Sequence, residues 1–186
     1  MKKPKNELLD FIYKEMPQYF DEEKHIAARA VYKIPPGEKR KNGAYNLSIL
    51  EGKKGVYCIY EERPSGPPKV VYIGQSASDL YKTVTRHFQN WDSRSGNYPG
   101  RVSYRGSAQI GTGFFVEAYT DEKHMFEIEE ESIMKLRPRD NNLKIFRYEK
   151  GRENKEAEER AIMQTGTRKE EIKDFSPPEE AEEPPF

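Results

Sequence analysis

The sequence predicts an α+β fold, in which a small three-stranded antiparallel sheet is flanked by helices. Two apolar runs, 56–60 and 70–74, are separated by a loop rich in proline and glycine, which is the pattern of an antiparallel hairpin. Other segments repeat apolar residues every three or four positions, which indicates helices. We also expect an N-terminal helical extension and, beyond Ser176, a disordered acidic tail rich in proline and glutamate.

Length and composition predict one domain with additions. A compact domain usually needs about 100 to 150 residues, and this chain has 186. Apolar and charged residues each make up 34% of it, so we expect a small core under a strongly hydrated surface. We divide the chain into a helical extension (1–52), a central domain (53–146), a C-terminal helix (147–166) and the acidic tail (167–186).

The sequence shows no signal peptide and no apolar run long enough to cross a bilayer, so we expect a soluble, cytoplasmic protein without a membrane partner. Its single cysteine, Cys58, excludes an intramolecular disulfide. Because Cys58 alternates with Val56 and Tyr60, we interpret it as a core residue.

The N-terminal part is predicted to be mainly helical. Residues 6–16 repeat apolar side chains at helical spacing, and a second helix is expected after Asp21. A polar loop follows at 38–43. Alternation of Tyr45, Leu47 and Ile49 fits either a short strand or a loop packed over the core.

After the hairpin, Asp79 is predicted to cap a helix over 79–89, whose buried stripe is Leu80, Val84 and Phe88. A stretch rich in glycine and arginine, 90–113, separates this helix from a third strand at 114–120. Another helix is expected over 122–136 and must stop near Pro138. A final helix is predicted over 153–164, ending at Gly166.

The net charge of zero hides an asymmetry. The tail holds seven acidic and three basic residues, so the rest of the chain has a net charge of plus four. Such an excess can neutralise phosphates, although a solvated surface explains it equally well. Much of this positive charge lies in one region, which contains a single acidic residue, Asp92, and the basic residues Lys82, Arg86, Arg94, Arg101 and Arg105.

One acidic residue lies where an apolar residue is expected. In the fourth element Glu129 falls within the stripe of Met125, Ile128, Ile133 and Leu136. A carboxylate on a buried stripe needs a cation, a hydrogen-bond donor or a metal as its partner. The alternatives are therefore a metal site and an ion pair with an arginine at the edge of the core.

Three segments together resemble the GIY-YIG nuclease family. They are Gly55-Val56-Tyr57, Tyr72-Ile73-Gly74, and the stretch from Glu129 to Asn141, whose spacing fits the distance from metal-binding glutamate to terminal asparagine in that family. The resemblance covers residues 55–142. It implies that Glu129 is the sole protein ligand of a Mg²⁺ ion, for which Mn²⁺ substitutes, and that Asn141 supports the site. Glu130 is the alternative ligand, one register step away.

The resemblance also implies roles for the two tyrosines. Tyr57 would orient or deprotonate the attacking water, and Tyr72 would hold the scissile phosphate. A hairpin register that opposes the two residues would place both phenols on one face. Paired tyrosines in a sheet are usually packing residues, but Gly55 and Gly74 flank this pair and permit close approach.

The following helix departs from the family pattern, which has an arginine four residues before a histidine or tyrosine. His87 matches the second position, but Thr83 stands at the first. Arg86 is the natural substitute and Lys82 the next. A histidine on a helix is more often a surface or core-edge residue, and His25 and His124 receive no role.

The resemblance thus implies a Mg²⁺-dependent endonuclease that hydrolyses DNA phosphodiesters, and it favours a stand-alone restriction-type enzyme. Because of Thr83, the alternative is a catalytically weak nucleic-acid-binding module with the same fold. An adaptor that binds proteins through its tail is a third reading. The residues expected to contact DNA are Gln75, Lys82, Arg94, Arg101 and Arg105, together with Lys39, Arg40 and Lys41 of the polar loop.

Overall fold

A computed structural model describes residues 6–32, 47–89 and 102–173. Its helices are α1 (Glu7–Glu15), α2 (Leu80–Arg86), α3 (Arg105–Gln109), α4 (Met125–Leu136) and α5 (Asn142–Lys173). Its strands are β1 (His25–Tyr32), β2 (Gly55–Glu61), β3 (Lys69–Ser76) and β4 (Phe114–Tyr119). Short 3₁₀ turns occupy Pro17–Tyr19, Glu22–Lys24 and Ser48–Leu50. No helix among these residues is both long and apolar enough to span a membrane.

The α+β class is confirmed, but the sheet has four strands where the sequence predicted three. The strands are antiparallel in the order β1-β4-β2-β3, so β4 lies inside the sheet. The predicted hairpin is β2 and β3, and the predicted third strand is β4.

The additional strand, β1, replaces a helix that was predicted after Asp21. That prediction is wrong for residues 25–32, which pair with β4 from His25↔Tyr119 to Tyr32↔Phe114. The segment is rich in alanine, which favours helices, but pairing with an otherwise open edge of β4 outweighs this weak local preference. The N-terminal part of the chain therefore contributes a strand to the central sheet.

One face of the sheet is covered by α2 and α3. Tyr57, Ile59 and Val116 project from the strands into a core that also contains side chains of both helices and of the Ser48–Leu50 turn. The other members of this core are Leu47, Leu50, Val71, Leu80, Val84, Phe88, Tyr104, Ala108, Phe114 and Ala118. Leu47 lies in a turn, so the packed-loop alternative holds for this residue, whereas Tyr45 lies outside the described residues.

The other face carries a buried acid that the sequence analysis did not single out. Glu117 of β4 accepts hydrogen bonds from the backbone N–H groups of Leu8 and Leu9, at 3.1 and 3.0 Å, in the first turn of α1. The Tyr60 hydroxyl donates to the same carboxylate, and His25 Nε2 lies 3.0 Å from it. Glu117 thus caps α1 and fixes it to the sheet.

The helices predicted over 79–89 and 122–136 are present but shorter, and α3 lies within the stretch 90–113, for which no helix was predicted. Asp79 caps α2 as predicted, because its carboxylate accepts the Lys82 N–H at 3.1 Å. α4 ends in a left-handed residue, Arg137, just before Pro138. Cys58 is fully buried, as predicted.

The last helix extends over Asn142–Lys173, far beyond the predicted 153–164, and continues through Gly151 and Gly166. A helical glycine costs only about 1 kcal/mol relative to alanine, so neither glycine ends the helix. From Arg147 the chain forms a separate unit, which is polar on most sides and carries i,i+4 ion pairs such as Glu156–Arg160. The disordered tail predicted over 167–186 is wrong for 167–173, which belong to this helix. The rest of the predicted tail lies outside the described residues.

Candidate active site

Two tyrosines and a histidine meet on the face of the sheet that α2 covers. Tyr57 lies on β2 and Tyr72 on β3, with their ring centroids 6.1 Å apart. They are not directly opposed, because Tyr57 pairs with Gly74 and Tyr72 with Ile59. They nevertheless share one face, since residues on diagonal positions of neighbouring strands point the same way.

His87, at the C-terminal end of α2, completes this cluster. Its Nε2 lies 2.8 Å from the Tyr57 hydroxyl, and its ring centroid lies 4.6 Å from that of Tyr72. Its Nδ1 lies 2.9 Å from the Val102 carbonyl oxygen. A carbonyl can only accept, so Nδ1 carries the proton.

Burial fixes the protonation state of His87. Desolvation lowers the pKa of the imidazole to about 4, which outweighs the hydrogen bond to Val102, and the charge of Lys144 lowers the pKa further. His87 is therefore neutral at pH 7, and Nε2 is an acceptor. The Tyr57 hydroxyl must then donate to it, and the phenolic oxygen can in turn accept a hydrogen bond, for which the neighbouring Tyr72 hydroxyl is a partner.

Neither phenol is ionised in the resting site. Burial raises the pKa of Tyr57 well above its ordinary value, and the charges of Tyr72 and Glu129 act in the same direction. The pKa of Tyr72 is raised mainly by burial, and Lys144 counteracts this effect. Tyr57 is almost fully buried whereas Tyr72 is partly exposed, so a ligand meets Tyr72 first.

The two glycines of the motif, Gly55 and Gly74, are required for different structural reasons. At Gly55 the backbone φ is +140°, and a Cβ would collide with the backbone of Tyr119 and Thr120. At Gly74 a Cβ would lie 2.6 Å from the Tyr57 hydroxyl oxygen and 2.8 Å from Tyr72 Cε1. Gly74 therefore makes room for the two rings.

Glu129 is the buried acid of α4. Its side chain is 4% exposed, whereas Glu130 is half-buried, so Glu129 is the acid on the buried stripe. The Lys144 ammonium lies 2.5 Å from Glu129 Oε1 and donates a hydrogen bond to it. The ion-pair alternative is therefore realised, but with a lysine of α5 and not with an arginine.

Asn141 binds the backbone of β3 at both of its polar groups. The Ile73 N–H donates to Asn141 Oδ1 and Asn141 Nδ2 donates to the Ile73 carbonyl, each at 2.8 Å. The Asp140 N–H adds a bond to the Val71 carbonyl at 2.9 Å. These bonds cover the open edge of the sheet next to Tyr72 and connect α5 to the site strand.

Thr83, which stands where the family pattern has an arginine, supplies no positive charge to this cluster. The Thr83 hydroxyl lies 2.8 Å from the Ser76 hydroxyl and forms a hydrogen bond with it. The substitutes proposed from the sequence, Arg86 and Lys82, are both exposed on α2. Sequence reasoning missed Lys144, because nothing in the pattern placed a helix start at 142 beside Glu129.

Few of the residues expected to contact DNA lie in the described part of the chain. Arg105 is half-buried at the start of α3, and its Nε is buried without a hydrogen-bond partner there. Gln75 is half-buried on β3, and its Oε1 is likewise unpaired within the described residues. Lys39, Arg40, Lys41, Arg94 and Arg101 lie outside the described residues.

Comparisons with protein-family models, with curated proteins and with solved structures find no match. The resemblance to GIY-YIG nucleases therefore stays a prediction from the sequence.

Among the described residues, Glu129 is the carboxylate that this site offers to a metal ion. Residues 6–29, 47–89 and 102–163, whose side chains are described, contain no group of three or more His, Cys, Asp or Glu that could hold an ion. Glu129 alone fits a hard cation that keeps most of its waters and takes further oxygens from a phosphate. Such an ion would compete with the Lys144 ammonium for the same carboxylate.

Proposed function

We propose that this protein is a metal-dependent endonuclease of the GIY-YIG type that hydrolyses DNA phosphodiesters. The observation that carries the proposal is the hydrogen bond from the buried Tyr57 hydroxyl to a neutral His87, beside Tyr72 and within the electrostatic reach of Glu129. Placing two phenols, an imidazole and a carboxylate together in a sheet core carries a desolvation cost that apolar side chains would avoid. Such a set is, however, suited to moving a proton next to an anionic substrate.

In the proposed reaction, a water oxygen forms a bond to phosphorus while the bond from phosphorus to the leaving oxygen breaks. The water proton passes to Tyr57 Oη as Tyr57 passes its own proton to His87 Nε2. Because the pKa of Tyr57 is raised and that of His87 is about 4, this transfer does not precede the attack and has to accompany it. The leaving oxygen takes a proton from solvent, and His87 returns its proton to solvent.

Tyr72 is the partly exposed phenol of the cluster. When a phosphate binds, its hydroxyl would exchange the hydrogen bond with Tyr57 for one to a phosphate oxygen. A divalent cation held by Glu129 would neutralise charge on the phosphate and stabilise the leaving oxygen. Asn141 and Gly74 have positioning roles: the first holds the backbone of β3, and the second leaves space for both rings.

The test is cleavage of supercoiled plasmid DNA with Mg²⁺, and in parallel with Mn²⁺. Tyr57→Phe keeps the ring and removes the hydroxyl, and Glu129→Ala removes the carboxylate. We expect each to slow cutting at least about a hundredfold, as loss of a proton-transfer or charge-stabilising group does. Tyr13→Phe and Glu127→Gln are matched controls, because both residues are exposed. Equal cutting by all five proteins would refute this site.

A second candidate function is a DNA-binding module that does not cut. It is favoured by Thr83, whose hydroxyl is bonded to Ser76, and by the ion pair that occupies Glu129. In that case the parent protein would be retained on DNA at low salt, with retention that weakens as salt rises, and none of the variants would cut.

A further inference from the structure

Among the described residues, Lys144 is a basic side chain that the fold brings to Glu129. It lies in the first turn of α5, three residues after Asn141, and its backbone N–H donates to the Asn141 carbonyl at 2.9 Å. Because the Asn141 side chain is bonded to Ile73 of β3, the start of α5 is fixed relative to the strand that carries Tyr72. These hydrogen bonds therefore fix the backbone of Lys144, while its side chain extends from that fixed point.

The two ends of the Glu129–Lys144 ion pair differ in mobility. The Glu129 side chain is 4% exposed on a packed helix face, whereas that of Lys144 is 34% exposed. A lysine has a flexible four-carbon stem and a compact ammonium group with three donors, so it exchanges partners readily. The carboxylate is thus the fixed partner and the ammonium is the movable one.

The charge of Lys144 already acts on the reacting groups. It opposes the burial-induced rise in the pKa of Tyr72, and it contributes to the lowered pKa of His87. The hydrogen bonds between Asn141 and Ile73 independently tie the first turn of α5 to the strand residue next to Tyr72. Hydrolysis of a phosphodiester increases the negative charge on the phosphate, and a positive group beside Tyr72 would stabilise that increase.

We propose that Lys144 is a movable cation of the active site. It neutralises Glu129 in the free protein and, when a divalent ion takes that carboxylate, it moves to the phosphate held at Tyr72. The proposal rests on the endonuclease function above for the phosphate step only. Besides the divalent ion, it places one positive charge of the protein at the phosphate from α5, whereas Thr83 carries no charge and Arg86 is exposed on α2.

The first test measures metal binding without DNA. Free Mn²⁺ is followed by its paramagnetic resonance signal as the parent, Lys144→Met and Lys144→Arg are titrated. If the ammonium competes for Glu129, Lys144→Met should bind Mn²⁺ about tenfold more tightly, the scale of one partly exposed ion pair. Lys135→Met is the matched control, because Lys135 of α4 forms an exposed ion pair with Glu15 at 3.6 Å.

Folding is checked by the thermal midpoint. Lys144→Met leaves a buried carboxylate without this cation, so its midpoint should fall and recover on addition of Mn²⁺ more than that of the parent. Glu129→Ala should show no such recovery. Unchanged Mn²⁺ affinity in a folded Lys144→Met protein would overturn the competition.

The second test measures the single-turnover rate of DNA cutting at saturating Mg²⁺. Lys144→Met should cut about a hundredfold more slowly, Lys144→Arg should keep most of the rate, and Lys135→Met should keep all of it. If Lys144→Met cuts as fast as the parent, the phosphate role is refuted and the endonuclease function stands. If the parent does not cut at all, the endonuclease function fails with the phosphate role, while the Mn²⁺ titration still decides the competition at Glu129.

Discussion

Replacing Gly74 by alanine should displace the rings of Tyr57 and Tyr72 and weaken the hydrogen bond from Tyr57 to His87. The added Cβ would lie 2.6 Å from the Tyr57 hydroxyl oxygen, 2.7 Å from Tyr57 Cζ and 2.8 Å from Tyr72 Cε1. Ordinary contacts begin at 3.4 Å, so Tyr57 must retreat by about 0.8 Å. The Tyr57 hydroxyl is bonded to His87 at 2.8 Å, and a shift of that size weakens or breaks the bond.

Two effects of Gly74→Ala can be estimated. Overpacking of a filled core costs about 1 to 3 kcal/mol, which lowers the melting temperature of a domain of this size by roughly 2 to 12 °C. If the endonuclease proposal holds, misplacing a reacting group by nearly 1 Å should slow cutting by about a hundredfold. The free energy of unfolding is measured by urea titration of tyrosine and tryptophan fluorescence, and cutting by the plasmid assay.

Gly106→Ala provides the matched control. Gly106 lies in the exposed first turn of α3, and a Cβ there would meet nothing within 4 Å. Alanine in a helix is favoured over glycine by up to about 1 kcal/mol, so this variant should be as stable as the parent or slightly more stable. The reasoning is refuted if Gly74→Ala unfolds at the same urea concentration as Gly106→Ala and cuts at the parent rate.

Two further predictions concern stability. Asn141→Ala should lower the free energy of unfolding by about 2 to 4 kcal/mol, because it leaves both polar groups of the Ile73 backbone without their partner; exposed Asn142→Ala should change it by less than about 0.5 kcal/mol. Because the pKa of His87 is lowered to about 4 in the folded protein, the unfolded chain binds the proton first as the pH drops from about 6.5 to 4. The free energy of unfolding should therefore fall over this range by up to roughly 3 kcal/mol. In urea titrations across that range, His87→Gln should lose part of this pH dependence, and an unchanged slope would contradict the burial of a neutral imidazole.

Much of the site could be predicted because local pattern and burial agree there. Alternation places Cys58 in the core and Tyr57 on the other face of β2, and helical spacing places Glu129 on the buried stripe of α4. These inferences need only the period of a strand or a helix. The same rules could not predict β1. Its alanine-rich sequence favours a helix by local preference, and it forms a strand because it pairs with the edge of β4.

The partners of the site residues could not be predicted, because they are distant in sequence. The sequence analysis left an arginine open as the partner of Glu129, but the partner is Lys144, on a helix that was predicted to start much later. It considered a register that would oppose Tyr57 and Tyr72, whereas the strands place them at diagonal positions. The tautomer of His87 depends on the Val102 carbonyl. The sequence between these two residues shows no helical or strand periodicity from which this contact could be predicted.

The sequence by itself determined the hairpin and the buried stripes of α2 and α4, because hydrophobic periodicity acts over a few neighbouring positions. That was enough to identify Glu129 as an acid in need of a cation, and to place two tyrosines on a hairpin between glycines. Only the tertiary structure decided which cation Glu129 meets, which nitrogen of His87 faces the Tyr57 hydroxyl, and that a fourth strand extends the sheet. Those outcomes depend on distances between segments far apart in the chain, which packing fixes and local spacing does not.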